Sequence, residues 1–161
     1  MSDIEEVVKV WSEYIESMPD WQVLVVDVEP KNTECGPVYE PESPLSGRTE
    51  TFAIADMRNI NVAQPHYHAN NETEICFVIQ GSGLTVMGGE EIEVEKGSIV
   101  VTPPNTAHYT FPQKDLVMVV INTPSFKLEN NIGITDTNPD VKFSKEQYEL
   151  LLSQNGISNN E

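Results

Sequence analysis

The chain has 161 residues, 39% of them hydrophobic and 22% charged, which suits one globular domain with a single core. Its 26 acidic and 9 basic residues leave a formal net charge of −17. That charge repels phosphate backbones and anionic lipid, so nucleic acid is excluded as a partner, and no apolar run approaches the ~18 residues that span a membrane.

Residues 4–17, IEEVVKVWSEYIES, place Ile4, Val7, Val8, Trp11 and Ile15 at helical spacing and predict an amphipathic helix. The N-terminal stretch is acidic and lacks the positive region of a signal peptide. QVLVVDV at 22–28 reads as a strand ending before Pro30. Residues 30–47, rich in Pro and Gly, read as a long loop that wraps the body or borders a pocket. Cys35 lies in that loop and Cys76 in an apolar run, and both read as free thiols of a reducing cytoplasm.

TETFAIADM at 49–57 reads as the next strand, and short strands with turn signals follow. ICFVI leads to Gly81 and Gly83, where GSGLTV reads as a hairpin corner rather than a dinucleotide loop, since no helix follows. LTVM runs into Gly88-Gly89, a two-residue hairpin turn. EEIEVE alternates, with Ile92 and Val94 inward and Glu91, Glu93 and Glu95 solvated. Lys96-Gly97 turns into SIVVT, and LVMVVIN at 116–122 is a last buried strand. Phe143, Ser144 and Gln147 resemble a hydrophobic staple and capping box that open a C-terminal helix. Tyr148, Leu151 and Leu152 are its buried stripe, Gly156 its stop, and ISNNE a frayed end. The pattern predicts an all-β sandwich or barrel with a helix at each end.

The chemistry concentrates in PHYHANNETEICFVIQG, residues 65–81. In a strand, residues i and i+2 share a face, so His66 and His68 point at one spot. Two imidazoles on one face are half of a transition-metal site, and a carboxylate and a third histidine would complete it. Otherwise the pair is simply a wet strand face. The chain's other histidine, His108, lies at the far end of the strand-turn-strand region, and Glu72 and Glu74 lie just before the next strand.

This arrangement resembles the cupin family. His66, His68, Glu74 and Gly81 fill its first motif, and GSIVVTPPNTAH supplies Gly97, Pro103 and His108 of its second. The resemblance covers roughly residues 49–124. Ile60 stands where the first motif opens on Gly, Asn105 replaces an internal Gly of the second, and Pro112 stands where an Asn is usual. Asn tolerates left-handed backbone angles, so the Asn105 change is mild. The gap from His68 to Glu74 is about one residue longer than usual, which leaves Glu72 as a rival ligand; counting back from Gly81 favours Glu74, and substitution of Glu72 is expected to matter little.

The resemblance implies a double-stranded β-helix, the jelly-roll or cupin barrel. Residues 1–48 would pack on it, 49–124 would form its core, and 125–161 would add a loop and helix, as one domain. It implies one divalent transition metal (Fe, Mn, Ni, Co or Zn) on His66, His68, Glu74 and His108. Such a ligand set carries one negative charge and leaves positions open for a substrate oxygen or dioxygen. The activity implied is that of a metal-dependent enzyme on a small oxygenated organic molecule, a dioxygenase first. A sugar or sugar-phosphate isomerase or epimerase is the alternative, and a non-catalytic binding protein a third. Arg48 and Arg58 are the cations available to anchor a phosphate, and Gln64, Tyr67 and Tyr109 the polar candidates near the mouth. If Glu74 faces the site, Cys76, Val78 and Gln80 share its side, and Ile75, Phe77 and Ile79 need cover from a helix or a partner subunit. A homodimer is therefore expected.

Overall fold

A computed structural model describes residues 30–33, 36–39, 50–134 and 141–157. The helix expected at 4–17, the strand at 22–28, Cys35, Arg48 and residues 158–161 lie outside the described residues. The described part is a curled antiparallel sheet of nine strands closed into a jelly-roll barrel, with a helix laid on its outside.

The strands are β1 (Lys31–Thr33), β2 (Gly36–Tyr39), β3 (Thr51–Asp56), β4 (His66–His68), β5 (Thr73–Met87), β6 (Glu90–Glu95), β7 (Ile99–Thr102), β8 (His108–Thr123) and β9 (Asn131–Gly133); helix α1 is Lys145–Gln154. The centre of the sheet is β8, which pairs with β3, β4 and β5. Its ladder with β5 runs from Thr73↔Thr123 to Met87↔His108.

The β5–β8 pair is too long for one flat sheet, and it bends where the ladder shifts register between Val78 and Gly83. Gly81 takes φ +77° there and Asp115, on the facing strand, φ +41°. A Cβ on Gly81 would lie 2.0 Å from Lys114 O, so only glycine lets the two backbones approach this closely. Gly81 and Gly83 are therefore not a hairpin corner: β5 continues through them, and the glycines form a bulge. The turn expected at Gly88-Gly89 is present, with φ of +57° and +85°, as a two-residue turn of primed type requires.

Two other segments differ from the sequence expectation. Part of the supposed loop at 30–47 is the β1–β2 hairpin, paired from Lys31↔Val38 to Thr33↔Gly36 and continued onto β3 through Val38↔Ala55. Pro37 tolerates this because its missing N–H falls in a short outer ladder. Residues 125–133 are not plain loop either: a 3-10 turn at Leu128–Asn130 leads into β9, which pairs with β4.

Alternation sorts the apolar residues. Ala55, Met57, Cys76, Val78, Val94, Val100, Leu116, Met118 and Val120 fill the barrel. Val86, Tyr109 and Phe111 meet Leu151 and Leu152 beneath α1. The helix starts as expected: Ser144 Oγ accepts from Gln147 N at 3.1 Å, and Phe143 stacks on Tyr148. The side chain of Gln147 bonds Gly89 O and Glu91 instead of closing the capping box, so it ties α1 to the β5–β6 turn. The helix ends in a Schellman motif, with Gly156 N donating to Ser153 O and Ile157 N to Leu152 O.

Candidate metal centre

Strand β4 turns His66 and His68 inward, with Tyr67 between them on the opposite face. Their relative exposures are 1% and 2%. His66 is the Cα partner of His108 at the start of β8. Glu74 enters from β5, where it sits between Thr102 of β7 and Asn122 of β8. One ligand atom from each of His66, His68, Glu74 and His108 lies within 4.8 Å of all the others. The loop carrying His108 is tied to β4 by Asn105 N, which donates to His68 O at 2.8 Å, and Asn105 takes the left-handed φ of +57° its residue type permits.

The tautomers follow from the hydrogen bonds. His66 Nδ1 donates to Gln64 O at 2.8 Å, and His108 Nδ1 donates to Thr106 O at 3.0 Å. A carbonyl has no proton to give, so both rings carry hydrogen on Nδ1 and turn Nε2 to the cluster. His68 Nε2 lies 3.2 Å from Glu74 Oε2, and its Nδ1 lies 3.2 Å from Glu72 Oε1. His108 Nε2 is buried without a hydrogen-bond partner, with Glu74 Oε1 at 3.4 Å. A buried ring nitrogen with an unused lone pair, two more imidazoles and a carboxylate form the donor set of a divalent transition-metal site, and these residues fit such an ion.

The electrostatics agree with this. Burial, then the neighbouring His108, lowers the His66 pKa to about 3, so this ring is neutral and ready to ligate. Burial opposes charge on Glu74, yet hydrogen bonds and charge from His108 and His68 hold its carboxyl well below the usual range. Burial likewise opposes charge on His108, but Glu74 outweighs it and raises that pKa.

Glu72 sits elsewhere. Asn70 and Asn71, with φ of +55° and +63°, turn the chain sharply after β4 and bring Glu72 behind His68 rather than into the cluster. It is fully buried, and it accepts from Asn122 Nδ2 and Asn130 Nδ2 at 3.1 Å each. It stands outside the four-residue cluster, buried against two side-chain amides that the sequence reading did not bring to it. Asn122 and Asn130 were missed by that reading. Asn122 left a signal, since it ends a run whose alternate members Leu116, Met118 and Val120 face inward.

The other sequence candidates lie away from the cluster. Arg58 is exposed and clamps Asp56 at 2.6 and 2.8 Å. Tyr109 packs with Phe111, Phe143 and Tyr148 under α1. Gln64 serves through its carbonyl, on His66. Cys76 is buried, in no disulfide, and its Sγ donates to Glu74 Oε1 at 3.3 Å, on the inward side shared with Glu74. A cavity opens on His66, His68 and Glu74. Val38, Ala53, Val120 and Phe126 form its apolar wall, with Phe126 edge-on to His68. Its polar lining is Thr33, Thr51, Asn122 and Asn131. No helix among the described residues is long and apolar enough to cross a membrane.

The family model described as "Cupin domain" matches residues 59–122. The 3-hydroxyanthranilate 3,4-dioxygenase of Aspergillus niger is 31% identical over 103 residues, 59% of this chain and 51% of that protein. The acireductone dioxygenase of Bacillus cytotoxicus is 31% identical over 67 residues, 38% of each chain. The chain thus spans about half the length, or less, of these curated relatives. Among solved structures, Streptomyces PAC13 with uridine superposes with a TM-score of 0.61 at 16% identity, over 81% of this chain and 98% of that one. A predicted oxalate decarboxylase from Thermotoga maritima gives 0.54 at 16% identity, over 64% and 99%. These two are likenesses of fold alone. With both motifs meeting at one buried cluster inside a jelly-roll barrel, residues 59–122 form a cupin domain.

Proposed function

We propose that this chain is a metal-dependent dioxygenase acting on a small oxygenated organic molecule, with one divalent transition metal held by His66, His68, Glu74 and His108. The observation that carries the reading is the convergence of these four buried side chains, with Nδ1 of His66 and His108 committed to backbone carbonyls and Nε2 of His108 without a hydrogen-bond partner. When bound, the metal would supply a Lewis-acid centre for a substrate oxygen and an open position for dioxygen. The chain's own part is to orient the ligands, exclude bulk water and present an apolar wall of Val38, Ala53, Val120 and Phe126 to a small, flat organic molecule.

The cavity favours oxygen chemistry over isomerisation. Apart from the proposed ligands, its described lining is apolar or carries only hydroxyls and amides, none of which serves as a general base near neutral pH. Among the same residues there is no cation to hold a phosphate. The dioxygenase names of the two relatives point the same way. We further propose a cytoplasmic protein, in keeping with a buried Cys76 that is in no disulfide, and a homodimer joined through the outer sheet face.

The test is oxygen uptake by protein loaded anaerobically with Fe(II), and separately with Mn, Co, Ni or Zn. The substrate panel holds small aromatic diols, aminophenols and enediols. Uptake that needs both metal and substrate and disappears in His108→Ala is expected. Tight binding of such molecules by the loaded protein without oxygen uptake would replace this reading with a non-catalytic one.

A further inference from the structure

We propose that Glu72 is a positioning residue for His68: a buried second carboxylate, clamped by two amides, that holds the imidazole in the Nδ1–H form and strengthens the centre's hold on a divalent cation. The inference rests on the four-ligand reading above.

Glu72 is fully buried, and the structure gives its carboxylate three neighbours that can donate. Asn122 Nδ2 and Asn130 Nδ2 donate at 3.1 Å, and His68 Nδ1 lies at 3.2 Å from the oxygen shared with Asn122. His68 Nδ1 has no partner in hydrogen-bond geometry and faces this oxygen, so when Nε2 ligates a metal the hydrogen of the ring is left on Nδ1, toward a carboxylate that can only accept. His66 and His108 reach the same state through the carbonyls two residues before them, Gln64 O and Thr106 O. The residue two positions before His68 is His66, which β4 pairs with both Gly133 and His108. The orienting acceptor of His68 comes from the following loop.

The loop is built for this task. Its extra residue and the left-handed Asn70 and Asn71 allow Glu72 to fold back under His68, four positions on. Ala69 N donates to Asn130 O at 2.8 Å and Asn70 Nδ2 to Asn130 Oδ1 at 2.7 Å, so the loop and the clamp form one unit. Burying a carboxylate is costly unless every partner donates to it. Retaining it behind a ligand is intelligible if it supplies charge: with Glu74 it makes two negative charges against the two positive charges of the ion. Carboxylates behind metal-bound histidines typically change affinity by 10–100-fold.

The experiment measures Zn(II) affinity by chelator competition in wild type, E72Q, E72D, E74Q and H108A. It adds two-bond proton–nitrogen NMR of His68 in zinc-loaded wild type. E72Q keeps the side-chain shape, and the donor it would turn toward Asn130 is accommodated by amide flips of Asn130 and of exposed Asn70. Expected are loss of zinc from H108A, strong weakening in E74Q, a ~10–100-fold weakening in E72Q with partial recovery in E72D, and His68 bound through Nε2 with its hydrogen on Nδ1 in the zinc-loaded protein. Wild-type affinity in E72Q, with H108A still unable to bind, would overturn the positioning role and leave the centre standing. Wild-type affinity in H108A and E74Q would overturn the centre, and this inference with it. Should E72Q and E72D fail to fold, the ligating nitrogen in zinc-loaded wild type decides: His68 bound through Nδ1, with its hydrogen on Nε2, contradicts the proposal.

Discussion

His66 and His108 face one another across the β4–β8 ladder as Cα partners, their ring centroids 4.2 Å apart. They come from the two ends of the motif region, and a single backbone pairing brings them together. The proposed centre is thus part of the sheet, not a loop draped over it.

Removing one ligand should therefore empty the site without unfolding the barrel, whose core residues are separate from the cluster. H108A is expected to lose bound metal in elemental analysis after loading while keeping a β-type circular dichroism spectrum and a cooperative melt. In wild type, Glu74 raises the pKa of His108, so protons compete with the metal for Nε2 up to a higher pH than at an ordinary histidine. Affinity should therefore rise with pH through the region above ~6.5. A pH-independent zinc affinity between 6 and 8 would contradict this.

The metal-free protein should be most stable near the ordinary histidine pKa. His66 has a folded pKa of about 3, so below ~6.5 the unfolded chain gains a proton that the folded chain refuses, and stability falls as pH falls. The depressed Glu74 adds a contribution present above the ordinary carboxylate pKa and lost as pH drops through its folded value. The raised His108 acts in the other direction: its contribution is complete below ~6.5 and is lost as pH rises through its folded value. Urea midpoints of chelator-treated protein from pH 4.5 to 8 should trace a dome, and H66Q should flatten its acid side.

Gly81→Ala should be among the more damaging single-methyl additions. The new Cβ would meet Lys114 O at 2.0 Å and Asp115 C at 2.5 Å, both backbone atoms, on top of a φ of +77°. A loss of roughly 2–4 kcal/mol is expected from denaturant midpoints. Gly97→Ala is the control: its φ is +97° but nothing lies within 4 Å, so only the backbone strain of roughly 1 kcal/mol applies. Equal effects at the two sites would show that the bend between β5 and β8 tolerates repacking.

The outer face of the barrel carries two apolar rows. Val101, Ile75, Ile121 and Phe52 are successive cross-strand partners over β7, β5, β8 and β3, and Ile99, Phe77, Val119 and Ile54 form the next row. Phe77 is 37% exposed, Val101 49% and Ile99 65%, so the cover expected from sequence is incomplete within the single chain. Faces of this kind commonly mark an interface. Light scattering should give twice 18.0 kDa for wild type and the monomer mass for F77K or I99K. Because each chain carries −17, salt should strengthen the dimer by screening repulsion. A monomeric wild type at high salt would count against the second copy.

Local rules were enough for a good part of this protein. The period of two put His66 and His68 on one face, Gly88-Gly89 announced its turn, and Phe143, Ser144 and Gly156 marked the limits of α1. These features depend on neighbours a few residues apart, so the sequence carries them directly. Tertiary structure decided the rest. Gly81 reads as a turn until Lys114 is seen against it, because a bulge and a corner have the same local signature. The short strands β2 and β9 owe their existence to partners in β3 and β4, not to their own propensity. The separate places of Glu72 and Glu74 are the clearest case. Both precede the same strand, and their roles diverge because Asn122 and Asn130, 50 and 58 residues further on, arrive to satisfy one of them. A buried charge takes its meaning from the donors around it, and only the folded chain brings those donors together.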